Sequence, residues 1–324
     1  MNLRIKLKTL WNRGLINSAA LVFRYLYARA ASLPYSVMIE PADRCNLNCA
    51  ICYTQKVQRK REKNLLSFGD FKKIVDEIKN HCVYINLWIA GEPLLSRELE
   101  QMVAYAHKKN IITCISTNAM LLTKERAEGL VKAGLDRLIV SFDGATKESY
   151  EKIRIGAKFE TVLNNIRELV KIKKTHPFIS LQLVVTNKNE AEIPLFAKLA
   201  KELNVDEAYT KSLYPATQLD NETTKKILSL RPANKRYVRN VVNRNAGCLA
   251  KERTAIQCDG VVVPCCFDVE TVYPFGNVLK QNFNDIWRSK EYADFRKSKL
   301  RYIKSPLCSS CGCSRDYRIE TLIK

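Results

Sequence analysis

The stretch SVMIEPADRCNLNCAICYTQ, residues 36–55, decides how the chain folds. It opens with a short apolar run that predicts a strand over 36–40. Cys45, Cys49 and Cys52 follow at spacings of four and three, so they occupy the loop at that strand's C-terminal end. Parallel βα barrels carry their chemistry at that end. Three thiolates so spaced can reach three corners of an iron–sulfur cube and leave one iron without a protein ligand, an open and therefore catalytic position. A zinc site would want a fourth protein ligand nearby, and none of His81, His107 or His176 is close in sequence.

Outward from this stretch, short apolar runs alternate with longer amphipathic ones, the pattern of a parallel sheet covered by helices. Strands are predicted over 36–40, 84–90, 111–116, 137–142, 179–185 and 205–211, with helices over 68–79, 96–109, 123–133, 159–173 and 190–203. Thr123 is placed to cap the third of these helices and Gly134 to stop it. The fold class is therefore α/β, a partial (β/α)6 TIM-like barrel spanning residues 36–235. From about residue 235 the alternation fades, and cysteines, glycine-containing turns and short β runs at 255–257 and 261–263 take over. A small cysteine-rich, metal-organised domain over 236–324 is expected. There is no internal repeat and no low-complexity tract.

The 324 residues carry 54 Lys+Arg against 33 Asp+Glu, a net charge of +21, with 46% apolar residues and twelve cysteines. That excludes a disordered tail and a disulfide miniprotein. The cysteine density and a start without a cleavage site point to a reducing cytoplasm, where clustered thiols hold metal. The longest uncharged run near the start, residues 14–23, is ten residues, against roughly 20 for a membrane span. Residues 1–35 form a basic amphipathic segment: positions 1–30 hold six basic residues and no acidic one, interleaved with apolar residues. This pattern suits peripheral contact with an anionic membrane; a helix packed on the protein's own core with its basic face in water explains it equally. Lys56, Arg59, Lys60, Arg61 and Lys63 cluster behind the first cysteines. They suggest an anionic substrate or surface, and a solvated charged loop is the plainer account. Nucleic-acid binding lacks a recognition motif.

The C-x3-C-x2-C motif after the first strand resembles that of the radical S-adenosylmethionine (radical SAM) superfamily, and supporting residues recur in order. The family's glycine-glycine-glutamate-proline segment appears as Ala90-Gly91-Glu92-Pro93, with alanine for the first glycine. The resemblance implies that Gly91, Glu92 and Pro93 meet the methionine amino group of the cofactor. It also implies that Thr117 and Asn118 after the third strand, and Ser141 and Asp143 after the fourth, touch its ribose or carboxylate, with Tyr53 near the adenine. Further on, Cys248-x11-Gly260-x4-Cys265 and Cys308-x2-Cys311 resemble the auxiliary-cluster domain called SPASM, or its single-cluster form, twitch. One auxiliary [4Fe-4S] cluster bound by Cys248, Cys265, Cys308 and Cys311 is implied; a four-cysteine zinc ribbon is the alternative, and Cys258 or Cys266 could replace one of these ligands. Cys82 and Cys114 lie in or beside apolar runs and read as buried thiols. Cys313 stays unassigned. In sulfatase-maturing relatives the residue at the position of Cys266 is a proton-accepting aspartate; here it is a thiol, so that role does not carry across, and Asp268 and Cys266 are the catalytic candidates, with Asp259 also nearby.

The resemblance implies a radical SAM oxidoreductase or maturase-type enzyme. Two [4Fe-4S] clusters and S-adenosylmethionine would be its cofactors, and a donor such as flavodoxin or ferredoxin would supply the electron. A 5′-deoxyadenosyl radical would abstract hydrogen from an unreactive carbon of a peptide or small, anionic or sugar-like substrate, and the auxiliary cluster would favour oxidation or bond formation. The alternative is a non-catalytic metal-binding or nucleic-acid-binding protein that retains a barrel.

Overall fold

The structure, a computed structural model, describes residues 13–54, 56–57, 59, 61–213, 221–238, 248–297, 306–309 and 318–323. Six strands, β1 (Ser36–Ile39), β2 (Tyr84–Asn86), β3 (Ile112–Thr117), β4 (Arg137–Ser141), β5 (Phe178–Val185) and β6 (Glu207–Ser212), pair in chain order, every pair parallel. Parallel neighbours need crossover connections, and amphipathic helices supply them. In the helix Phe68–Ile78, Phe71, Ile74, Val75 and Ile78 are wholly buried at helical spacing. Ser67 and Thr123 cap helices through their hydroxyls, and Gly134, at φ 81°, ends the helix that Thr123 begins. The partial barrel expected from sequence is the observed fold.

Three features were not legible in the alternation. β2 stops at Asn86 because residues 87–92 leave the sheet to pack on the loop after β1, where Glu92 N–H donates to the Arg44 carbonyl at 2.7 Å. A short helix, Lys147–Ile153, follows β4. The sheet also extends at both edges: β7 (Arg253–Ile256) pairs parallel with β1 and antiparallel with β8 (Val262–Val263), while β9 (Arg318–Ile323) pairs antiparallel with β6. The cysteine-rich segment thus continues the barrel sheet and covers both edge strands, which otherwise present unpaired backbone groups. It is fastened on the outside as well. Trp287 Nε1 donates to the Ser32 carbonyl at 2.8 Å, and Phe283 stacks on His81.

The N-terminal helix Leu15–Ala30 lies across the end of the barrel where the strands begin. Arg13 reaches Asp136 at 2.6 Å, Arg24 donates to the carbonyls of Cys82 and Asn110, and Arg29 pairs with Glu252. Arg13, just ahead of the helix, and Arg24 therefore reach into the protein, whereas Arg29 keeps about half of its side chain in water beside Glu252. Among the described residues no helix is long and apolar enough to cross a membrane.

Inside the barrel, Arg137 on β4 pairs with Glu207 on β6 at 3.1 Å, with the Ser180 hydroxyl between them. Both side chains are buried, so each charge depends on the other. Glu207→Ala is expected to cost about 3–5 kcal/mol in urea unfolding because it strands Arg137, whereas the joint Arg137→Met, Glu207→Leu change costs less. A single variant as stable as the parent would refute this dependence.

Candidate iron–sulfur and cofactor site

The loop after β1 owes its shape to backbone bonds. Asn48 N–H donates to the Ile155 carbonyl at 3.0 Å and Ala50 N–H to that of Ile153 at 2.8 Å, so the end of the helix Lys147–Ile153 holds the loop. Cys49 is buried and Cys45 and Cys52 are half-buried on it. Burial pushes the Cys49 thiol up to about 12 and Cys45 upward too, with the Arg154 cation pulling Cys49 back. Thiolates at these positions therefore need positive charge beside them, and iron supplies it. Polar partners already surround the sulfurs. Asn118 Nδ2 lies 3.8 Å from Cys45 Sγ and donates to Asn46 Oδ1 at 2.9 Å, while Cys52 Sγ is 3.0 Å from Thr54 Oγ1. Among the described residues no group of three His, Cys, Asp or Glu side chains converges as a single ion would require. The C-x3-C-x2-C spacing of the three thiols on this one loop suits three corners of a cube.

Gly91 belongs here for lack of a side chain. A Cβ on it would stand 2.2 Å from the Ala42 carbonyl oxygen and 2.4 Å from that of Arg44. Glu92 is fully enclosed: its Oε1 accepts from Thr117 Oγ1 at 2.6 Å and Leu94 N–H at 3.1 Å, and its Oε2 from Asn118 N–H at 2.8 Å. Pro93, buried, starts the short turn Pro93–Leu95 that Glu92 caps. One carboxylate therefore binds the end of β3, with Thr117 and Asn118, to the segment resting on the cysteine loop. Three protein donors already hold Glu92.

Ser141 ends β4 half-buried. Asp143 is wholly buried, with Oδ2 2.6 Å from Arg154 Nη2 and Oδ1 accepting from Val184 N–H at 2.8 Å. Tyr53 lies half-buried beside the last cysteine. Arg154 escaped the sequence reading, although a strand-end aspartate expected to be buried calls for a cation. Arg59 and Arg61 are a second departure. Rather than lying in a solvated loop, Arg61 is 3.2 Å from Glu40 and Arg59 is 3.1 Å from Asp43; the Arg61, Glu40 and Asp43 side chains are buried and that of Arg59 is 12% exposed. Burial raises both carboxyls and the arginines lower them again. Arg61 also donates to Thr271 Oγ1 at 2.9 Å, which joins the cysteine loop to the C-terminal segment.

In that segment Cys248 and Cys265 both bear electrostatically on the buried Tyr292 phenol, and Cys308 is buried in the turn Pro306–Ser309. Cys311 and Cys313 lie outside the described residues. Cys258 points elsewhere: fully buried, its Sγ donates to the Lys63 carbonyl at 2.9 Å. Cys266 is half-buried beside Cys265. Asp268 is buried and accepts the Val272 and Tyr273 N–H groups at 2.7 and 2.9 Å, closing the turn after the cysteines. Cys82 and Cys114 are buried, as expected.

The Gly91 contact is open to test. Gly91→Ala is expected to lower stability by about 1–3 kcal/mol and to reduce retained iron, because the added methyl group pushes the cysteine loop away. Gly69→Ala, where only Ser67 Oγ at 3.9 Å lies within reach of a Cβ, serves as control and should change neither.

Two family profiles match the chain, that of the radical SAM superfamily over residues 39–200 and that of an iron–sulfur cluster-binding domain, SPASM, over residues 248–312. Among curated proteins, the tungsten-containing aldehyde ferredoxin oxidoreductase cofactor-modifying protein of Pyrococcus furiosus is 27% identical over 310 residues, covering 85% of this chain and 86% of that protein. The Fe-coproporphyrin III synthase of Methanosarcina barkeri is 31% identical over 160 residues, 49% of this chain, which spans only 39% of that relative's length. Among solved structures, Streptococcus suis SuiB bound to precursor peptide SuiA superposes with a TM-score of 0.66 at 18% identity, over 92% of this chain and 75% of that one, a likeness of fold. By the two family profiles, the cofactors of this chain are S-adenosylmethionine, the [4Fe-4S] cluster that binds it and auxiliary iron–sulfur in the SPASM segment. The three-thiol loop, the Gly91–Glu92 segment resting on it and the C-terminal cysteines place this enzyme in the radical SAM superfamily, with a C-terminal SPASM domain.

Proposed function

We propose that this enzyme is a maturase that takes a hydrogen atom from an unreactive carbon of a peptide or small-molecule precursor. Bound S-adenosylmethionine and its cluster supply the 5′-deoxyadenosyl radical, given one electron from a donor such as flavodoxin or ferredoxin. The observation that carries the reading is the loop of Cys45, Cys49 and Cys52 after β1, tied through Asn118 to the Glu92 segment.

The chain's own residues then divide the work. Cys45, Cys49 and Cys52 hold the cluster, with Asn118 as an amide donor to one sulfur. The backbone carbonyls beside Gly91 and Glu92 accept from the cofactor ammonium, while Glu92 keeps Thr117 and Asn118 in place. Ser141 bonds the ribose or carboxylate. Asp143, paired with Arg154, would act through it, and Tyr53 would be the residue for the adenine. In the C-terminal segment Cys248, Cys265, Cys308 and Cys311 hold one auxiliary cluster. Cys266 is the better candidate for a proton acceptor, since Asp268 is occupied in closing its turn. Residues 36–235 form the catalytic barrel and 236–324 the auxiliary domain, behind the basic amphipathic segment 1–35, in the reducing cytoplasm that cluster thiols require. By its name the Pyrococcus furiosus relative modifies a cofactor, and SuiB was solved with a precursor peptide. Both support a precursor as substrate.

Anaerobic reconstitution should give about eight irons per chain, and changing Cys45, Cys49 and Cys52 together to alanine should remove roughly half and abolish 5′-deoxyadenosine formation. Two zincs and no iron would end the proposal. With the intact enzyme, reductant and S-adenosylmethionine, 5′-deoxyadenosine formation should rise when the correct peptide or small precursor is added.

A further inference from the structure

Arg24 of the helix Leu15–Ala30 and Arg13 just ahead of it turn inward while Arg29, half exposed, holds Glu252, and an apolar stripe is left outside. Leu15, Ile16, Val22, Phe23, Leu26 and Tyr27 recur at three- and four-residue spacing along one side. Leu15 and Ile16 are 87% and 86% exposed and Phe23 is 74% exposed. The opposite side, with Leu21 and Ala28, is buried on the barrel. A contiguous apolar stripe in water is unfavourable and marks a surface that something covers.

Charge says what covers it. Arg13, just ahead of the helix, bonds Asn110 and Asp136, in the connections that follow the helices ending at Lys108 and Lys132. Lys108 and Lys132 are exposed, as is Lys174 behind the helix Phe159–Ile172, so the end of the barrel on which the helix lies carries exposed lysines. Residues 1–30 contain no acidic residue, and the whole chain is at +21. A second copy seated stripe to stripe would bring two such positive faces together. An anionic lipid surface instead accepts the apolar side chains at the acyl boundary and attracts the lysines at headgroup level.

We propose that this end of the barrel is a docking face for an anionic membrane, with the helix lying in the plane of the interface and the cysteine loop, at the opposite ends of the strands, facing away from the lipid. The inference is independent of the proposed reaction, because the stripe lies at the end of the barrel remote from the site.

The test is flotation of the full-length reconstituted protein with vesicles of equal phosphatidylglycerol and phosphatidylcholine, and with phosphatidylcholine alone. Binding is expected to the first and not the second, to weaken as salt is raised, and to fall at least about tenfold in a Phe23→Ser, Leu26→Ser variant. Both positions are exposed, so iron content and thermal melting should stay at parental values, which separates lost docking from lost folding. No flotation with phosphatidylglycerol, flotation that the double variant leaves intact, or a vesicle-free dimer in light scattering that the variant dissolves would each overturn the proposal.

Discussion

The site rests on an approach between two stretches of backbone, residues 42–44 after β1 and residues 91–92 after β2, closer than any side chain permits. The hydrogen bond from Glu92 N–H to the Arg44 carbonyl fixes that approach. Glu92 then carries it to the third strand through Thr117 and Asn118, and Asn118 returns it to Cys45. A closed chain of contacts therefore links three strand ends, and the sulfurs keep their places because none of those ends can move alone. Preorganisation of this kind suits a ligand shell that must hold a cluster and leave one position open.

The second constraint is electrostatic. Glu40, Asp43, Glu92 and Asp143 are carboxyls buried at or just beyond strand ends, where desolvation disfavours their charge. Arg61, Arg59 and Arg154 answer three of them as ion pairs, and hydroxyl and backbone donors answer Glu92. The arginines come from the loops and helix beside the cysteines, so the charges that neutralise the strand ends also fasten the cysteine loop. Arg61 extends the fastening to Thr271, and Cys258 adds a bond to the Lys63 carbonyl. The cysteine-rich segment is thus joined to the loop of the first cluster by side chains as well as by the pairing of β7 with β1.

The sequence by itself determined the class of fold and the three-thiol loop. Parallel strands buried on both faces must be apolar runs, the helices covering them must show helical periodicity, and the C-x3-C-x2-C spacing is local enough to read without coordinates. Contacts between distant positions were decided only by the tertiary structure. The inward turn of Arg13 and Arg24, the pairing of Arg59 and Arg61 with carboxylates, and that of Arg154 with Asp143 depend on partners beyond the reach of local periodicity, and a basic residue looks the same in sequence whether it meets water or a carboxylate. The addition of β7 and β9 to the two sheet edges was hidden for the same reason. Backbone pairing is nearly blind to side-chain identity, so which strand completes an edge is settled by where the rest of the fold delivers it.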